Sequence, residues 1–122
     1  MKILRIFLLY VSFVFALFVI SSNTYAANVN FNGNQVGLVE VRTSVWGSYL
    51  IITILNSSGA RIKLCDAAPD PWAMALSITN DPTAKNVQAL ALSAKLAGKP
   101  VQGWGLDQVQ GSWCGIGNFS IP

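Results

Sequence analysis

The stretch DPTAKNVQALALSAKLAGKP, residues 81–100, decides the fold, because no other segment has the pattern of a long helix. Asp81 is suited to cap its amino end, and Pro82 fits the first helical turn. Gly98 and Pro100 are the residues that end a helix. We therefore predict one long helix in a chain that is otherwise made of short strands.

The predicted helix carries two apolar stripes on roughly opposite faces, since successive residues turn by about 100°. The first stripe consists of Val87, Leu90, Ala91 and Ala94, and the second stripe consists of Ala89, Leu92 and Leu96. A helix with a single stripe packs on its own domain, whereas a second stripe needs a second surface. We expect the second stripe to form the contact between subunits of a homo-oligomer. The alternative is that the Trp46 loop or residues 28–35 fold over it.

The amino-terminal segment has the pattern of an export signal. Two basic residues precede a predominantly apolar run, residues 6–20, and Ala26 offers a cleavage site. We assign residues 1–26 to a signal peptide and residues 27–122 to one secreted or periplasmic domain. The alternative is an uncleaved anchor. The apolar run is shorter than the roughly 20 residues that span a bilayer, so we expect no membrane span after cleavage.

The charge of the predicted mature chain is low and dispersed. The full chain has 8 basic and 5 acidic residues, and removal of Lys2 and Arg5 leaves six against five, a net charge of +1. Because the remaining basic residues are scattered, we expect no nucleic-acid partner. With no histidine and no nucleophile motif, we expect no enzyme activity, no cofactor and no metal. Asp66 and Asp70 are interpreted as solvated loop acids rather than as a calcium site.

Cys65 and Cys114 are the two cysteines of the chain. In an exported protein, two cysteines most simply form one disulfide. A metal site would need more ligands than two thiolates, and a redox pair would have a much closer spacing. We therefore predict a structural disulfide between Cys65 and Cys114.

Six further segments have the alternating or continuous apolar patterns of strands. They are residues 36–43, 49–55, 60–65, 72–79, 101–106 and 114–121, with a loop at 66–71 and a turn at 107–111. Residues 72–79 also permit a helical interpretation. One helix inserted before the last two strands predicts an α+β fold, a small antiparallel OB-like sheet or barrel of five to six strands. The disulfide would then join the third strand to the last one.

Three tryptophans, Trp46, Trp104 and Trp113, are the candidate ligand-binding residues. Trp104 and Trp113 flank a glycine-rich hairpin, where a ligand can approach the backbone closely. Trp46 lies in a predicted turn and is expected to be the most exposed. An exposed indole can stack on a sugar or on a partner's side chain. The alternative is that Trp104 and Trp113 fill the core, to which we assign Trp72.

The run ALALSAKLAGKPVQGW, residues 89–104, is followed by Trp-Cys-Gly-Ile at residues 113–116. Together they resemble the second half of small exported bacterial proteins, including the B subunits of subtilase-cytotoxin and pertussis-type AB5 toxins. The resemblance also takes in the exported start and Cys65. It implies an OB-like barrel, usually pentameric, that binds glycans. No sugar-pocket residue of that family is matched to a position in this chain.

These observations favour an exported, non-enzymatic module that binds a glycan or a protein receptor in the manner of a B subunit. The alternative is a structural or interaction protein of the periplasm or cell surface, such as an inhibitor or assembly component, without sugar binding. Sugar-dependent binding separates the two hypotheses.

Overall fold

The computed structural model describes residues 29–122, and the predicted signal peptide, residues 1–26, lies outside the described residues. The described part is an α+β fold in which one helix precedes the last two strands, as predicted. The elements are β1 (Val29–Asn30), β2 (Gln35–Ser44), β3 (Gly47–Leu55), β4 (Asp70–Ser77), α1 (Ala84–Ala97), β5 (Gln102–Gln110) and β6 (Trp113–Ser120). Between residues 29 and 122, no helix is long and apolar enough to cross a membrane.

The six strands form one mixed sheet in the order β1-β5-β6-β4-β3-β2. β4 and β6 pair in parallel, and the other neighbours pair antiparallel. The predicted all-antiparallel sheet is therefore wrong at this pair. α1 and β5 lie between β4 and β6 in the chain, and this long crossover returns β6 to β4 in the same direction. The sheet is not closed.

Residues 31–34 connect the two sides of the sheet. The backbone N–H of Phe31 donates to the Gly103 carbonyl at 3.0 Å, and the N–H of Val101 donates to the Asn34 carbonyl at 2.8 Å. The side-chain Nδ2 of Asn34 donates to the Leu55 carbonyl in β3 at 3.2 Å. Asn34 is therefore bonded to β3 and to Val101, the residue that precedes β5, and these two strands adjoin opposite edges of the strand order.

The core is built around β3, whose continuous apolar run is buried on both faces. One face of β3 packs with β4, β6 and small residues of α1, whereas the other carries Ile51 under Tyr49. The fully buried polar Thr53 is satisfied because its Oγ1 accepts the backbone N–H of Leu38 at 2.8 Å.

The N-cap of α1 is Thr83, two residues after Asp81, where the cap was expected. The Asp81 carboxylate instead accepts hydrogen bonds from the Thr83 hydroxyl at 2.6 Å and from the Thr83 N–H at 2.8 Å. These bonds to the charged form lower the pKa of Asp81, the side-chain bond more than the backbone bond. The helix ends as predicted at Gly98, whose φ of 62° is left-handed.

The core-facing stripe of α1 consists of Ala84, Val87, Ala91 and Ala94, of which the three alanines are buried. Leu90 was predicted to belong to this stripe, but it is 39% exposed. Small residues at the buried positions let the helix approach the sheet closely.

Two strand predictions are corrected. Residues 60–65 do not form a strand. Beyond an isolated bridge of Arg61 to Leu55, the chain turns away, and β4 occupies the place beside β3. The predicted turn at 107–111 is shorter, because β5 continues through an irregular register to Gln110 and the chain reverses at Gly111. Gly111 has a φ of 63°, a conformation that favours glycine.

Candidate functional site

An open pocket of about 390 Å³ lies where two turns of the sheet meet. One turn joins β2 to β3 and the other joins β5 to β6. The lining residues are Arg42, Thr43, Ser44, Trp46, Tyr49, Gly111, Ser112 and Trp113. Two of the three predicted ligand-binding tryptophans, Trp46 and Trp113, are therefore brought together.

Trp46 presents its indole to solvent, since the residue is 87% exposed. This confirms the predicted exposure of the β2–β3 turn. The Ser44 hydroxyl holds the turn, since it accepts the Trp46 N–H at 3.2 Å and donates to the Gly47 carbonyl at 3.1 Å. The backbone of Trp46 is thus fixed, while its ring is left without cover.

Trp113 and Tyr49 form the inner wall of the pocket. Their ring centroids are 5.8 Å apart and their planes are inclined by 55°, a favourable aromatic arrangement. Both rings pack on a small buried cluster that includes Ile51. Gly111 lies so close that a Cβ there would be 3.1 Å from Cζ3 of Trp113. This packing on three sides holds the wall in place.

Arg42 supplies the charge of the pocket. Its guanidinium carbon lies 5.6 Å from the centroid of the Trp113 ring, within cation–π range. Its Nη2 lies 2.6 Å from Oε1 of Glu40, yet this enclosed oxygen accepts no hydrogen bond of good geometry. The contact is therefore an ionic pairing that positions Arg42. The Arg42 side chain remains 60% exposed, so its remaining N–H groups can reach a ligand.

Sequence reasoning missed Arg42 and Tyr49 as pocket residues. The two are direct partners in the β2–β3 register, and partners across an antiparallel pair lie on the same face. A hairpin centred on residues 45 and 46 would have predicted this pairing. The position of the turn, rather than the type of either residue, was therefore the sequence feature that could have identified Arg42 and Tyr49.

Trp104 does not belong to this pocket. It is half-buried on β5 and lines a different cavity. The assignment of Trp72 to the core is wrong, since the residue is 46% exposed. The register between β4 and β6 shifts between Asp70 and Met74, and this irregularity breaks the alternation on which the assignment of Trp72 rested.

A larger cavity, of about 520 Å³, lies between the β4–α1 connection and residues of β5 and β6. Its lining is aliphatic and polar, and comprises Leu76, Ser77, Asn80, Asp81, Pro82, Leu106, Gln108, Gln110, Gly115 and Ile116. It offers no aromatic face for stacking. We therefore take the smaller pocket of Trp46 and Trp113 as the candidate site.

The predicted disulfide is confirmed. Cys65 and Cys114 are bonded with Cα atoms 5.8 Å apart, and both are buried. The bond joins β6 to the connection before β4, and not to a third strand. Because Cys114 directly follows Trp113, the disulfide anchors the strand that carries the inner wall of the pocket.

The carboxylates of Asp66 and Asp70 each bind a group close to them in the chain. Asp66 pairs with Lys63 at 2.8 Å, and Asp70 Oδ1 accepts the Trp72 N–H at 3.3 Å. Asp107 organises the same loop, since its Oδ1 accepts the backbone N–H groups of Asp66 and Ala67. In residues 29–122, no group of three or more potential metal ligands is found.

The second stripe of α1 lies on the surface. Leu92 is 39% and Leu96 is 87% exposed, and Ala89 is exposed beside them. The alternative cover does not reach it: Trp46 is itself exposed, and residues 31–34 lie along β5.

Comparison of the chain with protein-family models, with curated proteins and with solved structures finds no match.

Proposed function

We propose that this chain is an exported, non-enzymatic binding module and that the pocket of Trp46 and Trp113 holds a saccharide. The observation that carries the proposal is the Trp46 indole, 87% exposed at the mouth of a pocket with a fixed aromatic wall. An exposed tryptophan of this kind lowers the solubility of the free protein. It is therefore expected at a site where a binding partner covers the indole.

The chemistry of the lining suits a sugar. A pyranose can lay its C–H face on an indole, while the hydroxyls of Thr43 and Ser112 offer donors and acceptors to its rim. Arg42 adds fixed donors that bind a hydroxyl pair or a carboxylate. The volume, about 390 Å³, is at the lower end of ligand pockets, which span about 300–1,000 Å³. It suits one or two sugar rings.

The fold and compartment fit the same proposal. The run from β1 through Asn34 into β2 is bonded to β5 at one end and to β3 at the other. We propose that this segment completes an OB-type barrel, a fold whose strand surfaces bind oligosaccharides. The disulfide suits an oxidising compartment, and supports a secreted or periplasmic location. The resemblance to toxin B subunits points the same way.

The test is binding of the labelled protein to a glycan array, followed by titration of the best glycan. Trp46→Ala is expected to weaken binding by about tenfold or more, because it removes the stacking surface. Trp72→Ala is the matched control, since Trp72 is also exposed but lies outside the pocket. Circular dichroism verifies that both variants are folded.

Two outcomes would contradict the proposal. One is the absence of binding to any glycan, which would favour the alternative of an inhibitor or assembly component without sugar binding. The other is glycan binding that Trp46→Ala and Trp72→Ala weaken equally, which would place the site elsewhere.

We also propose that the exposed stripe of Ala89, Leu92 and Leu96 packs against a second copy of the chain in a homo-oligomer. Burying a leucine contributes about 1.5–3 kcal/mol. Leu92→Glu and Leu96→Glu are each expected to dissociate the oligomer into folded monomers, measured by light scattering and circular dichroism. Leu90→Glu is the matched control, since Leu90 and Leu92 are both 39% exposed but Leu90 lies outside the second stripe. An unmutated protein that is monomeric at high micromolar concentration would overturn this.

A further inference from the structure

A third cavity, of about 270 Å³, surrounds Trp104 on one face of β1, β5 and β6. The strand register places Asn30 and Asn118 directly beside Trp104, one on each side. Direct partners of antiparallel strands share a face. Asn32, Gln102 and Gly103 complete the lining, and Gln102 lies two residues along β5 from Trp104 and so on the same face.

This face is separate from the core. The alternating residues Phe31, Gly103 and Phe119 are buried beneath it, so the amides are not needed to complete the packing. Four of the side chains around the cavity are carboxamides, and none of its lining residues is ionisable. Within residues 29–122, no hydrogen bond engages these four amides, in contrast to the amide of Asn34, which bonds to Leu55.

The indole of Trp104 occupies the space that a side chain at Gly117 would fill. A Cβ at Gly117 would overlap Nε1 and Cδ1 of the Trp104 ring. The φ of Gly117 is not positive, so its backbone does not itself require glycine. The absence of a side chain at this position therefore makes room for the ring, which lies against β6 and stays half-buried.

We propose that the cavity around Trp104 is a second binding site, for a neutral saccharide. A carboxamide both donates and accepts hydrogen bonds, and so matches neighbouring hydroxyls of a sugar, while the indole takes the C–H face of the ring. With no charged group in the lining, nothing there favours an anionic ligand. This contrasts with the first pocket, to which Arg42 contributes a positive charge.

The second site goes beyond the function proposed above and does not depend on it. Trp113 and Asn118 both lie on β6, five residues apart. At about 3.4 Å per residue, the two cavities are about 17 Å apart along the strand. One sugar ring cannot occupy both, so each site can be filled or lost by itself.

The experiment is a titration of the ¹⁵N-labelled mature protein with cellotriose, triacetylchitotriose and galactobiose in separate series. The readout is the indole N–H resonances of the 4 tryptophans, assigned with single Trp→Phe variants. At least one of the three neutral sugars is expected to shift the Trp104 resonance saturably, together with the side-chain amide resonances of Asn30 and Asn118. Gly117→Ala is expected to weaken that response by about tenfold or more, because it displaces the ring and leaves every amide in place.

Trp46→Ala is the control, and it is expected to leave the Trp104 response unchanged. The inference is overturned if no sugar moves the Trp104 resonance at millimolar concentration, or if Gly117→Ala leaves the response intact in a folded protein. Its failure is distinguishable from that of the first proposal. A response at Trp46 alone refutes only the second site, and the first proposal is decided separately by the glycan array and the Trp46→Ala variant.

Discussion

Replacement of both Cys65 and Cys114 by alanine is expected to lower the free energy of unfolding by about 2–5 kcal/mol. The two residues are separated by 49 positions, and closing a loop of this length removes about 4 kcal/mol of chain entropy from the unfolded state. Domains of this size have a total stability of about 5–15 kcal/mol. Loss of the bond is therefore expected to leave the protein marginally folded, as measured by the midpoint of urea denaturation.

Reduction of the unmutated protein is the matched control for the double alanine variant. Dithiothreitol should lower the stability of the unmutated protein by a similar amount and leave the variant unaffected. Thiol titration of the unfolded, unreduced protein should find no free thiol. Two free thiols, or an unchanged denaturation midpoint in the variant, would refute the stabilising role of the bond.

Gly103→Ala is expected to destabilise the fold by about 2–6 kcal/mol, the sum of backbone strain and overpacking. Gly103 has a φ of 155°, a backbone conformation that residues with a side chain rarely adopt. A Cβ there would also lie on the carbonyl oxygen of Asn118 and 2.8 Å from the Phe31 ring. This carbonyl is part of the backbone of the neighbouring strand β6, so it cannot move aside without disturbing the sheet. Urea denaturation again provides the measurement.

Gly33→Ala separates the two causes. Gly33 also has a positive φ, of 77°, but a Cβ there would meet nothing within 4 Å. Its replacement should therefore cost only the backbone strain, about 1–3 kcal/mol. If the two alanine variants lose equal stability, close packing at Gly103 is not the cause. A Gly103→Ala variant as stable as the unmutated protein would contradict the prediction altogether.

The features that could be predicted from sequence are those that depend on neighbouring residues. The end of α1 at Gly98 follows from a glycine in the left-handed conformation before a proline. The burial of β3 on both faces follows from its uninterrupted apolar run. The exposure of Trp46 follows from its place beside Gly47 in a turn. Each depends on local backbone chemistry, which a sequence displays directly.

The features that were missed depend on which strands lie side by side. Residues 60–65 have the pattern of a strand, yet the position beside β3 goes to β4, which pairs Leu50 with Leu76. That competition is decided by the whole sheet. The parallel pairing of β4 with β6 likewise requires the crossover through α1 and β5, and no short segment encodes it.

The candidate site shows the same division. The three tryptophans were identified by residue type and by their neighbouring glycines. Their distribution over two cavities could not be foreseen, because Trp113 meets Trp46 only when the turn at Gly111 lies beside the β2–β3 hairpin. Trp104 is separated from both because its strand neighbours are Asn30 and Asn118.

Asn34 has a consequence for how the domain fluctuates. Its carbonyl is bonded to Val101 beside β5, and its side chain is bonded to Leu55 in β3. A fluctuation that lifts this residue breaks hydrogen bonds on two remote strands at once, so neither side of the sheet can fray without loosening the other. Amide hydrogens around Val101 and Leu55 should therefore exchange with solvent as one cooperative unit, although 46 residues separate them in the chain (101 − 55).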